Sequence, residues 1–232
     1  MFDSLFKKIS RLYLVKTLKD EYDHPPFPTF NERPIEYRFV FEQIQDFYPK
    51  TVLDVGTGTT SLPNLMANCG CKVTAIDNVK DYWASDIFNR HYYVMNDDIT
   101  ATKLTGRFDM ITCVSTLEHI AKYDDAVRTM LSLLNPGGRL VLTFPYNDKR
   151  FVRNVYELPG SSAQQGLAYK TAAFSRKDLD RWCAAGGAQI EKQEFWRFYD
   201  GEYWTVGTRL SVPERSSRDA QHQISCVVLG KT

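Results

Sequence analysis

Residues 51–60, Thr-Val-Leu-Asp-Val-Gly-Thr-Gly-Thr-Thr, constrain this chain more than any other stretch. Thr51–Val55 is β-branched and apolar apart from Asp54, the pattern of a short buried strand. Gly56 and Gly58 then punctuate a tight turn. Ser61–Asn68 reads as a helix, with Pro63 tolerated in its first turn and Gly70 near its stop. A strand, a glycine turn and a helix N-terminus together build a nucleotide-type binding site in an α/β protein. Glycine lets a ligand approach the backbone, and the free N–H groups of the helix face it.

Asp54 decides which nucleotide fits. A dinucleotide fingerprint would place a third glycine at position 61, where this chain has Ser61, and no carboxylate inside the strand. Asp54 repels a pyrophosphate and attracts a cation. S-adenosylmethionine carries an ammonium and a sulfonium and no phosphate. The stretch therefore resembles motif I of the class I S-adenosylmethionine-dependent methyltransferases, with Thr60 where that family often has a further glycine. The resemblance makes Asp54, Gly56, Thr57 and Gly58 cofactor-binding residues.

The next segments extend the likeness over roughly residues 50–145. Lys72–Ile76 reads as a second buried strand ending in Asp77, about twenty residues beyond the glycine turn, where a carboxylate can accept from both hydroxyls of a ribose. Asn78 sits beside it. Asp81–Arg90 reads as a helix and Tyr92–Met95 as a third strand, followed by Asn96-Asp97-Asp98-Ile99-Thr100. The family resemblance implies that Asp98 accepts from the adenine amine, with Asp97 as the alternative, and that Ile99 makes the apolar contact. Phe108–Val114 reads as a fourth strand buried on both faces. Ser115-Thr116-Leu117-Glu118-His119-Ile120 follows, and its position makes Ser115 and Thr116 cofactor neighbours and Glu118 and His119 substrate-side candidates. Leu-Leu-Asn-Pro-Gly-Gly-Arg-Leu-Val-Leu, 133–142, completes the likeness.

The implied fold is α/β: a Rossmann-like doubly wound sheet, mostly parallel, with one antiparallel strand near the C-terminus. Ala188–Tyr199 and His222–Leu229 read as strands that fit that place. The domain expected over residues 35–232 carries insertions at about 146–173, without a clear regular element, and at 200–221, a polar stretch. Ahead of it, residues 1–34 hold a helix and a Pro-rich linker. Phe2, Leu5, Phe6, Ile9, Leu12 and Tyr13 recur at helical spacing among five basic residues over 1–20. This basic amphipathic helix reads as a cap over the core or cleft in preference to a membrane-surface anchor.

Composition argues against several classes. A net charge of +1 over 232 residues leaves no electrostatic footprint for nucleic acid. The five cysteines are odd in number, and Cys69-Gly70-Cys71 lacks the spacing of a redox or zinc pair, so reduced thiols, a cytoplasmic setting and no metal site are expected. No apolar run is long enough to span a bilayer.

Methyl transfer from a sulfonium is an in-line displacement, leaving S-adenosylhomocysteine, and demands mainly alignment of nucleophile, methyl carbon and sulfur. An alcohol nucleophile needs a base, and His119 is the best candidate because imidazole titrates near neutrality. A pocket-shaping role, hydrogen-bonded to Glu118, is its competitor. A metal-dependent catechol-type mechanism would want an aspartate where this chain has Ser115. Residues 88–93, Phe-Asn-Arg-His-Tyr-Tyr, are similar to methyltransferases of surface-polysaccharide pathways. The expected activity is O-methylation of a small polar acceptor such as a sugar or glycan end. The alternatives are an S-adenosylmethionine-binding protein without transferase activity and a nicotinamide-dependent oxidoreductase.

Overall fold

Short apolar runs separated by glycine turns and amphipathic helices produce an eight-stranded sheet. The computed structural model describes residues 2–24, 31–78, 89–163, 166 and 170–232. Residues 1–35 and 36–232 form two separate compact units. The strands are β1 (Thr51–Val55), β2 (Lys72–Asp77), β3 (Val94–Asn96), β4 (Phe108–Val114), β5 (Leu134–Pro145), β6 (Ala188–Tyr199), β7 (Arg209–Ser216) and β8 (Ile224–Lys231), in the order β3-β2-β1-β4-β5-β8-β6-β7.

Strands β1 to β5 run parallel, and the central β1 and β4 are buried enough to read as near-continuous apolar runs. Strand β8 is inserted antiparallel between β5 and β6, the place expected for a C-terminal antiparallel strand. Strand β7 adds a second antiparallel partner on the outer side of β6. It lies inside the stretch 200–221 that the sequence offers as a polar insertion. Its polarity is that of an edge: Pro213, Glu214 and Arg215 blunt a strand that has a neighbour on one side only.

The α-helices among the described residues are α1 (Phe2–Asp23), α2 (Arg33–Phe47), α3 (Leu62–Asn68), α4 (Tyr123–Leu133) and α5 (Arg176–Gly186). Helix α2 begins at Arg33, earlier than its apolar pattern suggests, because Pro34 is compatible with a first helical turn. Helix α4 buries Ala126, Val127, Met130 and Leu131, one stripe at helical spacing. Helix α5 starts with a capping box between Ser175 and Asp178 and stops at Gly187 in the left-handed region. The core gathers Leu53, Ile111, Cys113, Leu140, Leu142 and Val227, all fully buried. In α1, Leu5, Phe6, Ile9, Leu12 and Tyr13 are each more than half exposed. No described helix is long and apolar enough to cross a membrane.

Two segments named in the sequence reading border the site. The helix expected at Asp81–Arg90 falls almost wholly outside the described residues, and Asn89 and Arg90 are irregular. The stretch 146–173 holds no long regular element, and several of its described residues are tied down by backbone hydrogen bonds. Val152 and Ala173 exchange backbone hydrogen bonds of 2.9 and 2.8 Å, and Val155 N–H donates to Thr171 O at 2.8 Å. It also joins the second insertion, through Ser162 N–H to Thr205 O at 2.7 Å and Gly207 N–H to Gly160 O at 3.0 Å.

Candidate active site

In a doubly wound sheet the ligand crevice opens where the strand order reverses, beyond the carboxyl ends of the strands. Here that point lies between β1 and β4, and a cavity of about 500 Å³ opens there. Val55, Gly56 and Gly58 form one wall, and Asp77 and Asn78 follow from β2. Asp97, Asp98, Ile99 and Thr100 come from the turn after β3, and Thr116 and His119–Lys122 from the segment after β4.

The glycine loop is shaped by its neighbours. Gly56 has φ +74°, and a Cβ there would lie 2.0 Å from Thr116 Cγ2, so the position demands glycine twice over. Thr116 Oγ1 donates to Gly56 O at 3.1 Å. Gly58 N–H donates to Asp77 Oδ2 at 2.7 Å, which draws the carboxylate at the end of β2 against the loop.

Asp54 and Thr57 do not line the cavity. The Asp54 carboxylate is buried and accepts from Thr57 Oγ1 at 2.7 Å and Thr112 Oγ1 at 2.6 Å. Its charge therefore sits under the loop, held by two hydroxyls. After β3, Asp97 Oδ1 accepts from Asp98 N–H at 3.0 Å and Oδ2 from Thr102 Oγ1 at 2.5 Å. Asp98 uses Oδ1 for both N–H and hydroxyl of Thr100, each at 2.8 Å. Its Oδ2 accepts no bond among the described residues, a difference that makes it the better-placed acceptor of the pair.

Ser115 also lies off the cavity lining. It has φ +44°, a left-handed conformation that a residue with a side chain seldom adopts. Its Oγ donates to Glu36 Oε1 at 2.5 Å, and Thr143 Oγ1 donates to the same oxygen at 2.7 Å. Glu36, in the first turn of α2, is fully buried. Nothing in its sequence neighbourhood marks it, because its partners stand far away in the chain.

Glu118 is buried too, and its backbone carbonyl accepts from Ala172 N–H at 3.0 Å. His119 does line the cavity. Its Nδ1 lies 2.9 Å from Lys170 O and 3.4 Å from Thr171 Oγ1. A carbonyl can only accept, so Nδ1 carries the proton and Nε2 the lone pair. Nε2 lies 4.0 Å from Glu118 Oε1. Lys170 thus acts through its backbone, which no side-chain motif could reveal.

Among the described residues, Asp77, Asp97 and Asp98 contribute three carboxylates to the lining, against one lysine, Lys122. A cavity with that balance suits a cationic nucleoside and disfavours a chain of phosphates.

Comparisons with known proteins agree with this geometry. A family model described as a methyltransferase domain matches residues 31–193. A ubiquinone biosynthesis O-methyltransferase of Coxiella burnetii (strain RSA 331 / Henzerling II) is 29% identical over 169 residues, 68% of this chain and 70% of that protein. Its namesake in Xanthomonas oryzae pv. oryzae (strain PXO99A) is 32% identical over 128 residues, 52% of this chain and 53% of that one. Among solved structures, Burkholderia thailandensis 1,6-didemethyltoxoflavin-N1-methyltransferase superposes with a TM-score of 0.58 at 16% identity, covering 98% of this chain and 89% of that chain. Magnesium protoporphyrin IX methyltransferase of Synechocystis PCC 6803, solved with bound SAM, gives 0.52 at 16% identity, covering 97% of each. At these identities the structural likeness is one of fold.

Proposed function

The chain belongs to the class I S-adenosylmethionine-dependent methyltransferases, and from that premise we propose that it methylates a hydroxyl of a small polar acceptor, with His119 as general base. The observation that carries this reading is the contact of His119 Nδ1 with the Lys170 carbonyl oxygen at 2.9 Å. The Lys170 carbonyl keeps the proton on Nδ1, so Nε2 is the atom that can take one at the cavity wall. The O-methyltransferase relatives favour an oxygen acceptor in the same sense.

The lining residues fit the cofactor. Asp77 would receive the ribose hydroxyls, Asp98 the adenine amine, and Ile99 would pack on the ring, while Gly56, Gly58 and Thr116 leave room along the backbone. Asn78 and Asp97 stand beside these groups, with Asp97 the alternative acceptor. When bound, S-adenosylmethionine supplies an activated methyl carbon.

The remaining work falls to side chains of this protein. As the acceptor oxygen gains its methyl group, its proton passes to His119 Nε2. The imidazolium that results keeps its Nδ1–H on the Lys170 carbonyl and lies beside the buried Glu118 carboxylate, 4.0 Å from Nε2. A carboxylate at that distance stabilises the charged ring. Glu118 therefore acts through His119. Asp54 and Thr57 support the loop from beneath, and Ser115 carries Thr116 to Gly56.

The test is transfer of a tritiated methyl group to pooled small-molecule and glycan extracts. Label captured on an alkali-stable ether identifies the acceptor and supports the reading; label appearing only on nitrogen or carbon rejects it.

A further inference from the structure

The segment after the undescribed residues 79–88 holds a group that the methyl-transfer scheme does not use. Asn89 Nδ2 donates to Gly58 O and to Thr60 O, both at 2.9 Å. Its Oδ1 accepts from His91 N–H and Tyr92 N–H, both at 2.8 Å. A primary amide has two N–H donors and two acceptor positions, and here all four are occupied. One side chain thus ties the outer half of the glycine loop to the turn that leads into β3 (Val94–Asn96), whose following residues, Asp97 and Asp98, line the opposite part of the cavity.

We propose that Asn89 is a positioning residue that holds the glycine loop in its cofactor-binding conformation before the cofactor arrives. The inference rests on the cavity being an S-adenosylmethionine site. Thr60 stands where a glycine would allow a tighter turn, and the two carbonyls that Asn89 grips straddle Thr59. The cross-link supplies from outside the loop a constraint that the loop sequence lacks. Thr60 Oγ1, donating to Thr57 O at 2.9 Å, closes the inner side. A loop already held in place loses less freedom when a ligand binds, so affinity rises without any contact between Asn89 and the ligand.

A bland role competes: Asn89 could simply form the turn at 89–92 through Oδ1. Asn89→Asp separates the two. It keeps an acceptor for the His91 and Tyr92 amides but replaces the Nδ2 donors with an oxygen facing two carbonyl oxygens. Asn89→Ala removes both roles. The measurement is the calorimetric dissociation constant of the full chain for S-adenosylmethionine and for S-adenosylhomocysteine, with the melting temperature of each ligand-free variant. The expected result is a loss of about tenfold or more for both ligands in both variants, as two hydrogen bonds would give, with ligand-free melting of Asn89→Asp within about two degrees of the parent. Affinity of Asn89→Asp within twofold of the parent overturns the proposal, and so does a loss seen in Asn89→Asp but absent in Asn89→Ala. A parent protein that binds neither ligand overturns the cofactor reading itself and takes this inference with it, an outcome distinguishable because it appears before any substitution.

Discussion

Asp77 reaches the amide of Gly58 across 19 positions of sequence, whereas Glu36 reaches Ser115 across 79 and Thr143 across 107. The first bond belongs to the β1–β3 half of the site, the others to the framework behind the half beyond β4, since Ser115 lies off the cavity lining. The β1–β3 half is built on near neighbours, a glycine loop, a strand-end carboxylate and an acidic turn at regular intervals, with Thr116 and Asn89 buttressing the loop from further along the chain. The half beyond β4 is assembled from distant ones. Its histidine is oriented by a carbonyl 51 positions away, and its two insertions are hydrogen-bonded to each other. The first half owes most of its shape to local backbone geometry. The second depends on which remote segments the sheet brings together, and it holds the residues proposed to act on the acceptor.

Substitutions that act on one half and spare the other test this division. The largest effect is expected at Gly56→Ala, where a Cβ meets Thr116 at 2.0 Å and the backbone has φ +74°; calorimetry should detect no S-adenosylmethionine binding. Gly58→Ala is the control for that clash, since a Cβ there meets no protein atom within 4 Å, which leaves backbone strain of about 1–2 kcal/mol and the room a methyl group takes from the cavity that Gly58 lines. Equal losses at both positions would break the steric account of the loop.

Next comes His119→Ala. Turnover should fall by roughly 10²–10⁴, the usual contribution of a general base, while cofactor affinity stays within about twofold. Full activity would remove His119 as the base, and a large affinity loss would erase the boundary between the halves. Asp77→Ala should weaken S-adenosylmethionine binding by about 1.5–3 kcal/mol, the range for hydrogen bonds to a charged group. Unchanged affinity in calorimetry would refute the ribose role.

The smallest effect is expected at His222, in the distant half. Burial pushes its imidazole below the ordinary range, against opposing hydrogen bonds to the Ala220 and Ser217 carbonyls and the charge of Asp148. The ring stacks on Tyr146 with centroids 5.7 Å apart. Folding therefore favours neutral His222. Its contribution is present above the unfolded value of about 6.5 and is lost as pH falls through the lower folded value. His222→Gln should flatten the decline of denaturant stability below about pH 6.5. A slope identical to the parent's would show that the ring is not what titrates.

The sequence determined the frame of the β1–β3 half. Gly56, Gly58, Asp77 and the Asp97-Asp98 turn were legible as neighbours of one cavity because strand, left-handed turn and strand-end carboxylate recur at spacings set by the backbone itself, whereas the place of Asp54 beneath the loop, off the cavity lining, was not. The antiparallel C-terminal strand was legible through the family pattern, and the extra edge strand β7 was not, because an edge needs polar residues and so looks like a loop. Tertiary structure alone decided that Glu36 would close on Ser115, that a lysine carbonyl would choose the tautomer of His119, and that Asn89 would grip the glycine loop. Each of these joins atoms whose sequence separation is filled by other elements, so no local pattern of side chains encodes the meeting. It exists only once the sheet has closed those distances.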